Sequence, residues 1–198
     1  PSLLLTFDGA IVSKMVKTFL RSSVNITHWH ISPHNHHLDT YRHLTRSIEV
    51  APLMFLKQMK DLFLPKESSF GSIWLNRRKH CLEQHRQYVK SIGWSDLKAF
   101  EIIGNHIPTQ YQLHLSNSSP IRYAQLFEAF YQVQNYCNRG TSGIDGCTST
   151  AVGACVAIDG PLLLITGDLS FLYDSNALWN KYLSPRLRII LINNGGGD

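Results

Sequence analysis

Apolar residues along this chain fall into two kinds of run. Residues 2–7 (SLLLTF), 161–166 (PLLLIT) and 186–192 (RLRIILI) are short and nearly continuous, the pattern of buried strands. Residues 11–20 instead place Ile11, Val12, Met15, Val16, Phe19 and Leu20 at a helical period. Residues 39–49 and 52–63 read as two amphipathic helices, the second with Pro52 near its first turn. Residues 74–88 form a polar-rich helical stretch, and 95–103 another with Ser95 as its N-cap. Residues 112–115 are the first strand of a second sheet, followed by a loop over 116–119. A helix over 120–130 starts with Pro120, and a strand over 131–136 comes next. A glycine-rich turn, NRGTSGIDG (138–146), opens a small-residue helix, CTSTAVGACVAI. Alternating short strands and helices predict an α/β chain built on parallel sheets. Their connections should be right-handed.

The composition of PKESSFG marks a linker at 65–71. It separates a Rossmann-like partial domain, 1–64, from a second domain, 72–198. Strand, Asp8-Gly9 turn and helix in the first make half of a βαβ unit, but one glycine is not the dinucleotide fingerprint G-x-G-x-x-G.

Composition narrows the classes. With 43% hydrophobic and 17% charged residues the chain is globular rather than disordered. Its net charge of +5 is dispersed, with none of the clustering that nucleic-acid binding requires. No apolar run approaches the ~20 residues that span a bilayer. Cys81, Cys137, Cys147 and Cys155 form no C-x-x-C pair, so they read as reduced thiols of a cytoplasmic protein. His28, His30, His34, His36 and His37 raise a zinc site as one reading. The competing one is a strand and loop whose histidines face water or cap turns; His28 and His30 would share a strand face, which is permissive but not specific.

The chemistry concentrates at two strand ends. Gly167-Asp168-Leu169-Ser170 follows one strand and Asn193-Asn194-Gly195-Gly196-Gly197 the other. A carboxylate and a carboxamide at the C-terminal edge of a parallel sheet stand where ligands bind. Hard oxygen donors there suit a partly hydrated Mg²⁺ that also holds phosphate oxygens.

Four words in order, NSSPIR, NRGTSGIDG, GDLSFLYD and NNGGG, resemble the thiamine diphosphate-dependent 2-succinyl-5-enolpyruvyl-6-hydroxy-3-cyclohexene-1-carboxylate synthase family of menaquinone biosynthesis. The resemblance covers essentially the whole chain and is sharpest after about residue 112. It implies a parallel-sheet thiamine diphosphate-binding fold, preceded by part of the family's middle domain. It also implies that Asp168 and Asn194, with the Gly196 carbonyl, hold Mg²⁺ (or Mn²⁺). Gly167, Leu169 and Ser170 would meet the diphosphate. Ile144 would be the wedge that bends the cofactor, beside Ser142, whose carbonyl accepts from the pyrimidine amino group, and Gly143. Ser118, Arg122, Arg139 and Lys14 would hold substrate carboxylates. Met15 stands where some members have arginine. The resemblance implies no metal at His28 to His37, which favours the strand-and-loop reading of those histidines.

The implied substrates are 2-oxoglutarate and isochorismate, and the implied assembly is a homodimer or homotetramer with the cofactor at the subunit interface. Family members carry the glutamate that polarises the cofactor on an N-terminal domain. This chain has no counterpart of it, so the chain alone is expected to be an inactive piece of a carboligase. A non-catalytic cofactor-binding piece, or a relative of the acetolactate synthase or decarboxylase type, are the alternatives. Gly-Asp-Leu in place of the commoner Gly-Asp-Gly argues mildly against the last.

Overall fold

A computed structural model describes residues 3–7, 9, 11–34, 39–62 and 67–195. The chain is α/β, with two sheets whose strand pairs are all parallel. It divides into two compact units, 1–74 and 75–198.

In the first unit, β1 (Leu3–Phe7), β2 (Thr27–Ser32) and β3 (Leu44–Glu49) lie side by side in sequence order. Helix α1 (Lys14–Ser22) starts at Ser13, whose hydroxyl accepts from the Val16 N–H, so it begins later than the apolar spacing from Ile11 predicts. Helix α2 (Pro52–Leu62) follows β3. Two expectations fail here. Residues 39–49 are not a helix: the Asp39 carboxylate accepts from the His43 and Leu44 N–H groups, forming a turn, and β3 runs on from Leu44. Nor do the β2 histidines face water. His28 is 1% and His30 8% exposed, and both rings meet the Thr6 hydroxyl, at 2.7 and 3.0 Å. Burial lowers the pKa of His28, opposed by nearby Asp39 and helped by His30 and His43. His36 and His37 lie outside the described residues, among which no group of three or more His, Cys, Asp or Glu side chains is placed to hold a metal.

Helix α3 (Phe70–Ser91) runs into the second unit, so the composition of 65–71 extends into helix at its end. The second unit continues with α4 (Asp96–His106), β4 (Gln112–Leu115), α5 (Ser119–Ala124), β5 (Gln134–Tyr136), α6 (Cys147–Ala157), β6 (Leu162–Gly167), α7 (Asp168–Tyr173) and β7 (Leu187–Ile192). The expected helix over 120–130 is short: α5 ends at Ala124, and a 3₁₀ turn, Glu128–Gln132, takes the rest. The strand expected over 131–136 therefore begins only at Gln134.

Strand β6 shows why this sheet forms. Its residues Leu162, Leu163, Leu164 and Ile165 are all at most 6% exposed and point alternately to opposite faces. Leu163 and Ile165 pack with Phe100 of α4, Ala124 of α5 and Phe130. Leu162 and Leu164 pack with Ala151 and Cys155 of α6. Helices thus cover both faces, which is why the strand sequence is apolar without alternation. Each such side chain contributes roughly 1.5–3 kcal/mol of burial.

The sheet order is β5-β4-β6-β7. From β4 the chain leaves to one side, toward β5; from β6 it leaves to the other, toward β7. The loops after β4 and β6 therefore diverge and open a crevice at their carboxyl ends, the usual ligand position in such a sheet. No helix among the described residues is long and apolar enough to cross a membrane.

Candidate functional site

That crevice holds a cavity of about 190 Å³. The loop after β4 contributes Asn117 and Ser118, and the turn after β6 contributes Gly167, Asp168, Leu169 and Ser170. Ile144 of the glycine turn and Asn194, beyond β7, line it too, and all of these except Asn117 are residues that the sequence singles out. Residues separated by 76 positions along the chain thus share one cavity because β4, β6 and β7 are neighbours in the sheet.

Asp168 opens α7, and its Oδ1 accepts from the Leu169 N–H at 2.8 Å. Asn194 donates through Nδ2 to Asp96 Oδ2 at 3.3 Å. An amide nitrogen does not ligate a cation, so the carboxamide oxygen is the group Asn194 could bring to one. Asp96, which also lines the cavity, is a residue that sequence reasoning missed. As the first residue of α4, behind the capping Ser95, it reads as a helix-start acid and nothing more.

Ser118 has φ 71° and ψ −126°, a conformation a side chain rarely adopts, and it is exposed at the cavity. Ser142, exposed in the glycine turn, is also left-handed, at φ 63°. A Cβ at Gly143 would stand 2.5 Å from Oδ1 of the exposed Asp145 side chain, which would have to turn aside. Ile144 is held through its carbonyl, which accepts from Ser170 Oγ at 2.6 Å. The Ser170 proton is therefore directed at the turn rather than into the cavity.

The remaining cations stand differently. Arg122 is exposed on α5, while Arg139 is half-buried and donates through Nη1 to Asn117 Oδ1 at 2.7 Å; neither is among the cavity's described lining residues. Arg139 Nε is buried and meets no hydrogen-bond acceptor among the described residues. Lys14 belongs to the first unit, exposed at the start of α1. Gly196 lies outside the described residues.

Asn117 is the second residue that sequence reasoning missed. It is 1% exposed and its four partners all lie between residues 137 and 143. One of these is Cys137, whose thiol burial pushes up to about 11 against the opposing Arg139 charge. At neutral pH that thiol stays protonated and donates to Asn117 Oδ1, at 3.4 Å.

The whole chain is 49% identical to a 2-succinyl-5-enolpyruvyl-6-hydroxy-3-cyclohexene-1-carboxylate synthase of Flavobacterium psychrophilum. Proteins of the same name from Flavobacterium johnsoniae and Porphyromonas gingivalis match at 47% and 45%. Its relatives are 2-succinyl-5-enolpyruvyl-6-hydroxy-3-cyclohexene-1-carboxylate synthases. The chain spans about a third of their length, 35–36% of each. No protein-family model matches it.

Proposed function

We propose that this chain is the part of a thiamine diphosphate- and Mg²⁺-dependent synthase that holds the cofactor's diphosphate end. The whole enzyme decarboxylates 2-oxoglutarate and joins the remaining four-carbon unit to isochorismate, releasing CO₂ and forming 2-succinyl-5-enolpyruvyl-6-hydroxy-3-cyclohexene-1-carboxylate. One observation carries the reading: Asp168, Asn194, Ile144 and Ser118 line a single cavity at the point where the strand order reverses.

The donor set fits the cation. The carboxylates of Asp168 and Asp96 and the carboxamide of Asn194 at one cavity, with no thiol or imidazole among the described lining residues, select a hard ion such as Mg²⁺. Bound thiamine diphosphate would supply the electron sink for decarboxylation and carbon–carbon bond formation. The chain's own residues orient and hold. Asp168 and Asn194, with Gly196 a further candidate, would take the cation. The Gly167 to Ser170 turn would approach the diphosphate with backbone N–H groups. Ile144, anchored through its carbonyl, would set an apolar wall against the rings. Arg139, with a buried N–H lacking an acceptor, is suited to a carboxylate. Ser118 and Arg122 would share that task. The acid that polarises the cofactor would come from another part of the enzyme, in a homodimer or homotetramer.

The test is calorimetric titration of thiamine diphosphate with Mg²⁺ into the full-length protein and its Asp168→Ala and Arg139→Lys variants, followed by turnover with both substrates. Asp168→Ala should abolish Mg²⁺-dependent binding. Arg139→Lys should keep binding and lose turnover. Equal loss of binding in both variants would sink the division of roles, and no binding by the wild-type protein would sink the assignment.

A further inference from the structure

We infer that Asn117 is a positioning residue that locks the glycine turn and the Arg139 guanidinium into one unit. The inference rests on the function proposed above and adds a residue to it. Asn117 Nδ2 donates to the Asn138 carbonyl at 2.7 Å and to the Gly143 carbonyl at 2.6 Å. Its Oδ1 accepts from Arg139 Nη1 at 2.7 Å and from Cys137 Sγ at 3.4 Å. Both amide protons and the amide oxygen are thus spent on one segment of chain.

Chemistry fixes the orientation of the side chain. Turned over, the amide would aim its nitrogen at the Arg139 donor and its oxygen at two carbonyls, so those three contacts would become repulsive. Leucine would satisfy none of the contacts. Aspartate would pair with Arg139 but press an anionic oxygen against the two carbonyls. Asparagine alone among isosteric side chains serves both halves. Asn117 is 1% exposed, so each of these bonds left unmade leaves a buried polar group without its partner.

Placement explains the use. Asn117 immediately precedes Ser118, whose strained backbone stands at the cavity, and the Gly143 carbonyl it holds immediately precedes Ile144. Arg139, fixed at Nη1, keeps Nε buried and unmatched. With one end of its planar fork tethered, the guanidinium has a set direction and loses less freedom when a carboxylate binds. A single side chain from the β4 loop therefore aligns the groups proposed for cofactor shape and for substrate charge.

The test uses the full-length protein with thiamine diphosphate and Mg²⁺, as wild type, Asn117→Ala, Arg139→Ala, the double variant, and Asn117→Asp. The substrate to follow is the one whose KM rises in Arg139→Ala. Asn117→Ala should raise that KM on the order of tenfold, the effect of losing a hydrogen bond to a charged group. The double variant should match Arg139→Ala within about twofold, because Asn117 acts on that substrate through Arg139. Asn117→Asp should weaken cofactor binding on the order of tenfold while moving the KM much less, since it keeps the acceptor and loses the donors.

Additive KM losses in the double variant would overturn the inference, as would equal losses of cofactor binding and KM in Asn117→Asp. If Asn117→Ala does not fold, the split in Asn117→Asp decides alone. Wild-type turnover with Asn117 variants indistinguishable from it overturns the inference and leaves the function standing. A wild-type protein that neither binds the cofactor nor turns over overturns both.

Discussion

Asp174 holds Ser149 with both carboxylate oxygens: Oδ2 accepts from the Ser149 N–H at 2.6 Å and Oδ1 from its hydroxyl at 2.5 Å. Ser149 lies in the first turn of α6, whose N-cap is Gly146, a residue with no side chain to offer. Asp174, 6% exposed at the end of α7, supplies the missing cap from 25 residues away and ties α7 to the helix that leaves the glycine turn.

Removing that cap should loosen α6 before anything else. A side-chain cap contributes ~1 kcal/mol and charged hydrogen bonds more, so Asp174→Ala should cost about 2 kcal/mol locally. Hydrogen exchange across 147–157 should then speed up about 30-fold, while β6 keeps its protection. Uniform acceleration of the whole second unit would show that Asp174 stabilises the fold as a whole rather than this helix start.

Ser170→Ala separates two readings of one hydroxyl. If Ser170 held the diphosphate, its loss would appear as weaker cofactor binding. The hydroxyl instead donates to the Ile144 carbonyl, and Ser170 is 4% exposed. The variant should therefore keep cofactor affinity within about threefold and lose turnover on the order of tenfold, as the wedge it anchors becomes mobile. Titration and kcat measured on the same preparation decide between them.

Much of this was legible in the residues, for stateable reasons. β6 announces itself because burial on both faces demands an unbroken apolar run, here ending at Gly167, and β7, the end strand of the sheet, is recognised by its apolar run despite being only partly buried. The cavity followed from knowing that such strands end on one edge. β3 reads as helix because Leu44 and Ile48 are four apart, a helical interval, while its other side chains are polar. It is the end strand of the three in its sheet, so no continuous apolar run marks it. In the segment after Pro120, Ile121, Ala124, Phe127 and Phe130 recur every third residue, a spacing that both an α-helix and a 3₁₀ turn satisfy. Asn117 and Asp96 could not be found this way. Each looks like ordinary loop or cap chemistry until the sheet brings residues 138–143 or 194 against it.

Gly104 tests how tightly the second unit's core is filled. A Cβ there would stand 2.8 Å from Phe130 Cε2 and 3.2 Å from Cδ2, and Phe130 is itself 2% exposed. Alanine gains up to ~1 kcal/mol of helix propensity in α4, but overpacking against a ring with no room to move costs ~1–3 kcal/mol. Gly104→Ala should therefore lower the unfolding temperature of the second unit by a few degrees. A rise would mean that the Phe130 ring shifts at little cost.

His114 sets an acid limit on the sheet that carries the site. It lies on β4, 6% exposed, stacked on Tyr136 at 5.3 Å. Gln112 Nε2, which can only donate, approaches His114 Nε2 at 3.0 Å, so that ring nitrogen accepts and carries no proton. Burial lowers the His114 pKa below its ordinary 6.5. The unfolded chain then binds the proton more readily than the folded one. The stability that neutral His114 contributes is full above pH 6.5 and declines as pH falls from there toward the lowered folded pKa. Denaturant unfolding of the second unit should thus weaken between about pH 7 and 5, and His114→Gln, which keeps a polar group but cannot titrate there, should flatten that slope. An unchanged slope in the variant would assign the acid sensitivity to other groups.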